Sequence, residues 1–131
     1  MPTRLETLLG RCAIACGQLR RALTKPKDEF TRDSSIHRFE FTFELFWKML
    51  QEYCALHGFE TNSPRTSIRE AFRIGVISDE PVYLEMLGAR NKTSHLYSEA
   101  LSEDIYAALS GFATAMEAAV DAVRRDLSLS D

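Results

Sequence analysis

Residues 33–58 read DSSIHRFEFTFELFWKMLQEYCALHG, and this stretch decides the fold. Its large apolar side chains recur at the spacing of one helical face, namely Ile36, Phe39, Phe43, Phe46, Leu50 and Tyr53. A second apolar row covers another face, formed by Phe41, Leu45 and Met49. Because a surface helix needs one apolar stripe, this helix is predicted to be central in a bundle or to form a dimer contact. Asp33 or Ser34 is the expected N-cap, and Gly58 the expected residue after the last turn.

Helical spacing and capping signals recur on both sides of this segment. Residues 5–24 form an apolar stripe that ends before Pro26, and Ser63-Pro64 opens a short helix to about Gly75. Asp79-Glu80-Pro81 opens a fourth helix, and Ser102 is the expected cap of a last one. The pattern predicts an all-α, up-and-down bundle of four long helices plus a short one. Residues 1–131 form one domain, with a short polar tail after about residue 125.

Composition restricts the class of protein. Of the 131 residues 45% are apolar and 27% charged, which is ordinary for a globular protein. No window approaches the roughly 20 apolar residues that cross a bilayer, and the first residues lack a signal-peptide pattern. The three cysteines do not suggest a disulfide framework, so we expect a cytoplasmic protein. A net charge of −3 argues against broad, nonspecific binding of nucleic acid, although the first 32 residues are locally basic.

The functional candidate is the segment 90–97, RNKTSHLY, which is polar where a core helix should supply leucines. On a helix, Arg90, Ser94 and Tyr97 share one face, and Asn91 and His95 an adjoining one. A guanidinium suits a phosphate, and an imidazole moves protons near neutral pH. The two together are suited to cleaving RNA without a metal. The alternative interpretation is a polar helix end with a buried hydrogen-bonded network.

In that reaction, His95 would activate a ribose 2′-hydroxyl or protonate the leaving oxygen, while Arg90 stabilises charge at phosphorus. One histidine supplies only half of an acid–base pair. A two-fold dimer would supply the other half, and the doubly apolar helix offers an interface.

Two stretches carry a family resemblance. Residues 90–97 resemble the R-N-x-x-x-H-x-Y signature of HEPN domains. Residues 36–48, IHRFEFTFELFWK, resemble the I-Q-R-F-E-F-T-F-E-L-x-W-K segment of the nucleotidyltransferase substrate-binding proteins, a HepT-like branch of HEPN. Shorter matches follow at residues 64–65, 68–72, 84–87 and 106, so the resemblance covers about residues 30–110. Two positions depart from the family pattern: His37 stands where Gln is usual, and Tyr83 where Trp is frequent.

The resemblance implies a homodimeric bundle that acts with a small nucleotidyltransferase (MNT-type) protein. In toxin–antitoxin members the HEPN protein is a metal-independent RNase. Its catalytic Arg and His match Arg90 and His95, with Asn91 beside them. The partner adenylylates the motif tyrosine, here Tyr97, which would place negative charge beside Arg90 and silence the nuclease. An older view of the same branch makes the chain a non-catalytic substrate-binding subunit. A third alternative is a purely structural dimerising protein.

The remaining polar residues have weaker functional interpretations. Arg38 or Glu40 is expected to line the dimer groove, and Ser94 to contact substrate or partner. Glu44 is expected to pair with Lys48. The three-residue spacing of His37 and Glu40, and of His57 and Glu60, invites a metal site, but it is not the Glu-x-x-His pattern of di-iron bundles.

Three further features complete the sequence predictions. Cys12 and Cys16 are expected in the core rather than at a redox or metal site. The basic face of the first helix, with Arg11, Arg20 and Arg21, is expected to be solvated, with RNA or partner docking as the alternative. No cofactor or metal is expected, and the chain has no nucleotidyltransferase motif of the Gly-Ser plus paired-Asp kind.

Overall fold

Five α-helices make up the chain in the computed structural model, which describes residues 1–95 and 98–129 apart from the side chains of His95 and Leu129. The helices are α1 (Arg4–Ala22), α2 (Glu29–Leu56), α3 (Pro64–Ile74), α4 (Glu80–Lys92) and α5 (Glu99–Leu129). A 3-10 turn, Thr93–His95, follows α4. No strand occurs in the described part of the chain. The predicted all-α class is confirmed.

Side-chain caps set several of the helix ends. Thr3, Asp28 and Ser63 each accept a hydrogen bond from the backbone N–H three residues on, at the starts of α1, α2 and α3. Gly58 and Gly75 have φ values of 88° and 101°, just beyond the ends of α2 and α3. Left-handed backbone of this kind favours glycine. The sequence predicted Gly58 as the residue after the last turn of its helix, and Gly75 as the approximate end of the next one.

Ion pairs and hydrogen bonds between the helices show their directions. Arg4 at the start of α1 pairs with Glu52 near the end of α2, so these helices are antiparallel. Arg32 and Tyr53, near the two ends of α2, bond Glu99 and Asp126 near the corresponding ends of α5, so α2 and α5 are parallel. The short α3 and α4 connect α2 to α5. The arrangement is the expected up-and-down bundle.

Helix α2 is the centre of the molecule and packs against each of the other four α-helices. Phe39, Phe43 and Phe46 are fully buried along one side of it. The Phe39 ring stacks on Phe112 of α5 at 5.4 Å, and the Phe46 ring stacks on Tyr83 of α4 at 5.6 Å. The central position predicted from two apolar rows is therefore confirmed, with Met49 buried and Phe41 exposed.

Three boundaries differ from the sequence prediction. α2 begins at Glu29, not after Asp33 or Ser34, because Asp28 and Thr31 form a reciprocal capping box. α5 begins at Glu99, not at Ser102, because Ser98 accepts a hydrogen bond from the Leu101 N–H.

The third difference lies at the end of α5, which is helical to Leu129, so the polar tail expected after residue 125 is wrong for residues 126–129. Asp126 accepts a hydrogen bond from the Tyr53 hydroxyl at 2.9 Å, and this contact ties the last turns of α5 to α2. Among the described residues, no helix has the length and apolarity that crossing a bilayer requires.

Candidate functional site

Arg90 lies in the last turn of α4 and is held by two residues of α2. Its Nη2 lies 2.8 Å from Oε1 of Glu44. Its guanidinium carbon lies 5.8 Å from the centroid of the Phe43 ring, within range of a cation–π contact. The Phe43 ring is fully buried and so forms a rigid support. The Arg90 side chain is nevertheless 28% exposed, so the guanidinium is both positioned and accessible.

Glu44 is the residue that fixes this guanidinium, and the predicted Glu44–Lys48 pair is wrong. A second donor, Nε1 of Trp47, lies 3.2 Å from its other carboxylate oxygen. Pairing with Lys48 would have used the i, i+4 geometry within α2, whereas the bundle brings a cation from α4 to the same carboxylate. Nε of Arg90 is buried and has no hydrogen-bond partner among the described residues.

The segment after Arg90 does not continue as an α-helix. α4 ends at Lys92, and Thr93–His95 form a 3-10 turn. The Thr93 backbone N–H bonds the Arg90 carbonyl, a 3-10 type bond, and the Thr93 hydroxyl donates to the same oxygen at 2.7 Å. The expectation that Arg90 and Ser94 share one face of an α-helix is therefore wrong, because α4 stops two residues before Ser94. Tyr97, the third member of that expected face, lies outside the described residues.

The other motif residues have different surroundings. Asn91 and Ser94 are exposed, and Asn91 Oδ1 is 3.5 Å from Nη1 of Arg90, the outer limit of a hydrogen bond. The backbone of His95 closes the 3-10 turn. The His95 side chain and Tyr97 lie outside the described residues, so their predicted roles stay predictions.

Arg38 and Glu40, the predicted contact residues of α2, lie on different sides of that helix. Glu40 precedes Glu44 by one turn and is half-buried. Arg38 is exposed and lines a cleft between α1 and α2. At about 100° per residue it projects roughly 120° away from Glu44, so no single surface patch of α2 holds Arg38 and the Arg90 site together.

An ion-pair network fixes the start of α5, directly after the motif. The Arg32 side chain is 5% exposed, and its guanidinium contacts carboxylates of Asp33, Glu99 and Glu103 at 2.6–3.1 Å. Lys27 also pairs with Glu103. Hydrogen bonds from Arg32 hold the pKa of the Glu99 carboxyl below its usual value. The role of Arg32 was not predicted from the sequence, since a lone arginine carries no signal of burial.

The histidines, carboxylates and cysteines are the candidates for metal and thiol chemistry. No group of three or more His, Cys, Asp or Glu side chains able to hold a metal ion occurs in the described part of the chain. Cys12, Cys16 and Cys54 are buried, as expected for Cys12 and Cys16. Burial raises the pKa of the Cys54 thiol to about 11, so it is protonated at neutral pH.

The family model described as nucleotidyltransferase substrate binding protein like matches residues 9–125. The chain belongs to this family. A similar protein, named probable ribonuclease HepT, from Haemophilus influenzae, is 30% identical over 83 residues. That alignment covers 60% of this chain and 57% of the Haemophilus protein, less than two thirds of its length.

Solved structures share the fold of this nucleotidyltransferase substrate-binding family member. A Thermus thermophilus protein matches with a TM-score of 0.83 and 34% identity, covering 86% of this chain and 98% of that one. A Haemophilus influenzae protein, described as revealing the fold of a substrate-binding domain of a nucleotidyltransferase, matches with a TM-score of 0.79. Its identity is 22%, with 88% of this chain and 98% of that chain covered, so it supports the fold alone.

Proposed function

We propose that this family member is a metal-independent ribonuclease of the HepT type, acting as a homodimer. The observation that carries the proposal is the placement of Arg90 against Glu44 and the buried Phe43 ring, five positions before His95. A guanidinium held in advance stabilises phosphate charge with little reorganisation. The similarity to a protein named as a probable ribonuclease supports the same chemistry.

The proposed reaction is an internal transfer at one phosphodiester. The ribose 2′-oxygen forms a bond to phosphorus while the bond from phosphorus to the 5′-oxygen breaks. His95 of one protomer takes the 2′-hydroxyl proton, and His95 of the second protomer gives a proton to the 5′-oxygen. Arg90 stabilises the added negative charge on the non-bridging oxygens. The products are a 2′,3′-cyclic phosphate and a 5′-hydroxyl.

In this proposal, a partner protein controls the ribonuclease activity by modifying Tyr97. An MNT-type nucleotidyltransferase transfers AMP to the Tyr97 hydroxyl, releasing pyrophosphate from ATP. The added phosphate carries negative charge and bulk two residues from His95, so it competes with RNA for Arg90. The family description, nucleotidyltransferase substrate binding protein like, supports such a partner.

The test is cleavage of a structured RNA by purified, unmodified protein in excess chelator. Arg90→Ala and His95→Ala are each expected to reduce the rate by about 10²–10⁴-fold. Arg69→Ala, an exposed arginine of α3, is the matched control and should leave the rate unchanged. Sedimentation of the same samples tests the homodimer.

Two results contradict the ribonuclease proposal. One is the absence of cleavage by protein whose intact mass shows unmodified Tyr97. The other is cleavage that survives both substitutions, since a contaminating nuclease would then account for it.

A second function is favoured by the Glu44 carboxylate, which neutralises much of the charge of Arg90. A charge-compensated arginine binds anions more weakly, which suits a non-catalytic subunit that presents substrate to a nucleotidyltransferase. This alternative predicts that the chain alone is harmless to cells, with or without His95→Ala. It also predicts that the partner's turnover depends on added chain.

A further inference from the structure

The cleft between α1 and α2 is separate from the Arg90 site. Two cavities of about 450 Å³ and about 310 Å³ adjoin there. Gln18, Ser34 and Arg38 line both, so the two cavities form one continuous groove along the helices. We call it the α1–α2 groove.

Positive charge without compensation is the main property of the α1–α2 groove. Arg21, Lys25 and Arg38 line its larger cavity, and His37 lines the smaller one. Within the described residues, no carboxylate lines either cavity, and none of the three cations has an ion-pair partner. On a chain of net charge −3, a groove with this lining attracts polyanions locally.

Two exposed aromatic rings accompany these cations. Phe30 is 81% exposed and lines the larger cavity, and Phe41 is 58% exposed and lines the smaller one. Exposed rings interleaved with cations are the pattern that binds unpaired bases and their phosphates. Both rings belong to α2 and are eleven positions apart, which is about 16 Å along the helix axis.

The distance between the two rings distinguishes binding of a nucleic-acid strand from binding of a single nucleotide. At about 3.4 Å per nucleotide in a stacked strand, 16 Å corresponds to about five nucleotides. One mononucleotide cannot contact both rings. Gln18 and Ser34 lie between the ends and offer amide and hydroxyl groups suited to ribose hydroxyls.

We infer that the α1–α2 groove binds a single strand of RNA, with phosphates on Arg21, Lys25 and Arg38 and bases stacked on Phe30 and Phe41. Phe41 lies less than one helical turn before Glu44, which pairs with Arg90, so the Phe41 end of the groove is the end nearer that site along α2. A bound strand would extend from this end to reach Arg90. This last connection rests on the proposed ribonuclease function. Binding in the groove does not depend on it.

The experiment measures fluorescence anisotropy of a labelled single-stranded RNA of about 12 nucleotides, with the full chain carrying His95→Ala to prevent cleavage. Arg38→Gln and the double variant Phe30→Ser/Phe41→Ser are each expected to weaken binding about tenfold. Arg69→Gln and Phe72→Ser change an exposed arginine and an exposed phenylalanine of α3. These matched controls should bind within about twofold of the parent, and circular dichroism verifies that all variants fold.

Three outcomes overturn the inference. The groove variants could bind as tightly as their α3 controls. Unlabelled ATP could displace the RNA at the same concentration as the unlabelled oligonucleotide, which would indicate a mononucleotide site. The double phenylalanine variant could dissociate a dimer without changing RNA affinity per protomer, which would make the groove a contact between copies of this chain.

The readouts separate this inference from the ribonuclease proposal. RNA binding that depends on Arg38, with no cleavage by the wild type, supports the groove and contradicts the nuclease. Cleavage that depends on His95, with RNA affinity unchanged by Arg38→Gln, supports the nuclease and contradicts the groove.

Discussion

The guanidinium of Arg90 lies between a carboxylate and an aromatic ring, and these two contacts have opposite effects on anion binding. The Phe43 ring orients the group without reducing its charge, whereas Glu44 orients it and competes with any incoming phosphate. Because Glu44 also accepts from Trp47, its position does not depend on Arg90 alone. Glu44 therefore both orients Arg90 and weakens its attraction for phosphate. Replacing the Glu44 carboxylate by an amide measures which of the two effects on RNA binding is larger.

Glu44→Gln is expected to tighten RNA binding about threefold to tenfold, since the amide keeps an acceptor for Arg90 but removes the competing charge. Binding of labelled RNA on the His95→Ala background measures the change. Glu85→Gln removes an equal charge from an exposed position of α4 and is the control. Weaker binding by the Glu44 variant would show that orientation of Arg90 outweighs its neutralisation.

Arg32 is a buried arginine whose contribution to stability depends on the carboxylates around it. Its contacts with Glu99 and Glu103 join the starts of α2 and α5. Lys27 and Arg32 both donate to Glu103, and Arg32 donates to Glu99, which lowers the pKa of each carboxyl below the usual 4.5. A carboxyl with a lowered pKa stabilises the fold above its unfolded-state pKa, and this contribution is lost as the pH falls through the folded value.

Arg32→Gln is therefore expected to lower the Tm by about 5–10 °C at pH 7, with a smaller effect as the solution becomes acidic. The difference from wild type should be full above about pH 5.5 and shrink steadily below it, because the carboxyls then lose their charge. Thermal melts across pH 3–7 measure it. A difference that is constant over this range would assign the role of Arg32 to packing alone.

At the scale of helices, local capping chemistry explains where most elements start and stop. The side chains of Asp28 and Ser98, rather than later polar residues, define the starts of α2 and α5. Glycine has two distinct roles in these elements. Gly75 ends α3 with φ at 101°, whereas Gly111 lies inside α5, and an added Cβ would meet no atom within 4 Å at either position. The two glycines therefore differ in backbone conformation and not in the space available to a side chain.

Substitution by alanine at these glycines should have opposite signs. Gly75→Ala is expected to destabilise the protein by about 1–2 kcal/mol, because a Cβ disfavours left-handed backbone. Gly111→Ala is expected to stabilise it by about 0.5–1 kcal/mol, because glycine is a poor helix former. Urea unfolding at equilibrium gives both values. Equal signs for the two variants would contradict the conformational argument.

At the scale of the whole molecule, α2 combines a core face and a surface face. Phe39 is fully buried and stacked on Phe112, while Phe41 two residues later is largely exposed in the α1–α2 groove. The same residue type therefore contributes to stability at one position and is available for binding at the other. The helices packed against α2, not the local sequence, decide which of the two phenylalanines is buried.

Phe39→Ala is expected to cost about 3–5 kcal/mol, a large part of the stability of a small domain, because it leaves a cavity at the centre of the bundle. Phe41→Ala should leave the free energy of unfolding within about 0.5 kcal/mol of wild type. Denaturant titration compares the two directly. A comparable loss for Phe41→Ala would mean that its ring is covered in solution, for example by a second protomer.

Much of this protein follows from its sequence alone. The all-α class, the central position of α2, the α3 cap at Ser63 and the glycines at 58 and 75 all come from local periodicity and from residues with specific backbone requirements. The polar segment beginning at Arg90 was also recognisable, because it interrupts the apolar pattern and carries a family motif. Such features depend on neighbours within a few positions, which the sequence displays directly.

Contacts between distant positions were decided only by the tertiary structure. Glu44 pairs with Arg90 rather than Lys48, and Arg32 is buried among carboxylates of α5. On the basic face of α1, Arg20 pairs with Glu117, whereas Arg21 lines the groove and has no ion-pair partner in the described part of the chain. Each depends on which helices pack side by side. A charge has many candidate partners in the chain, and packing selects one by bringing it within a few ångströms.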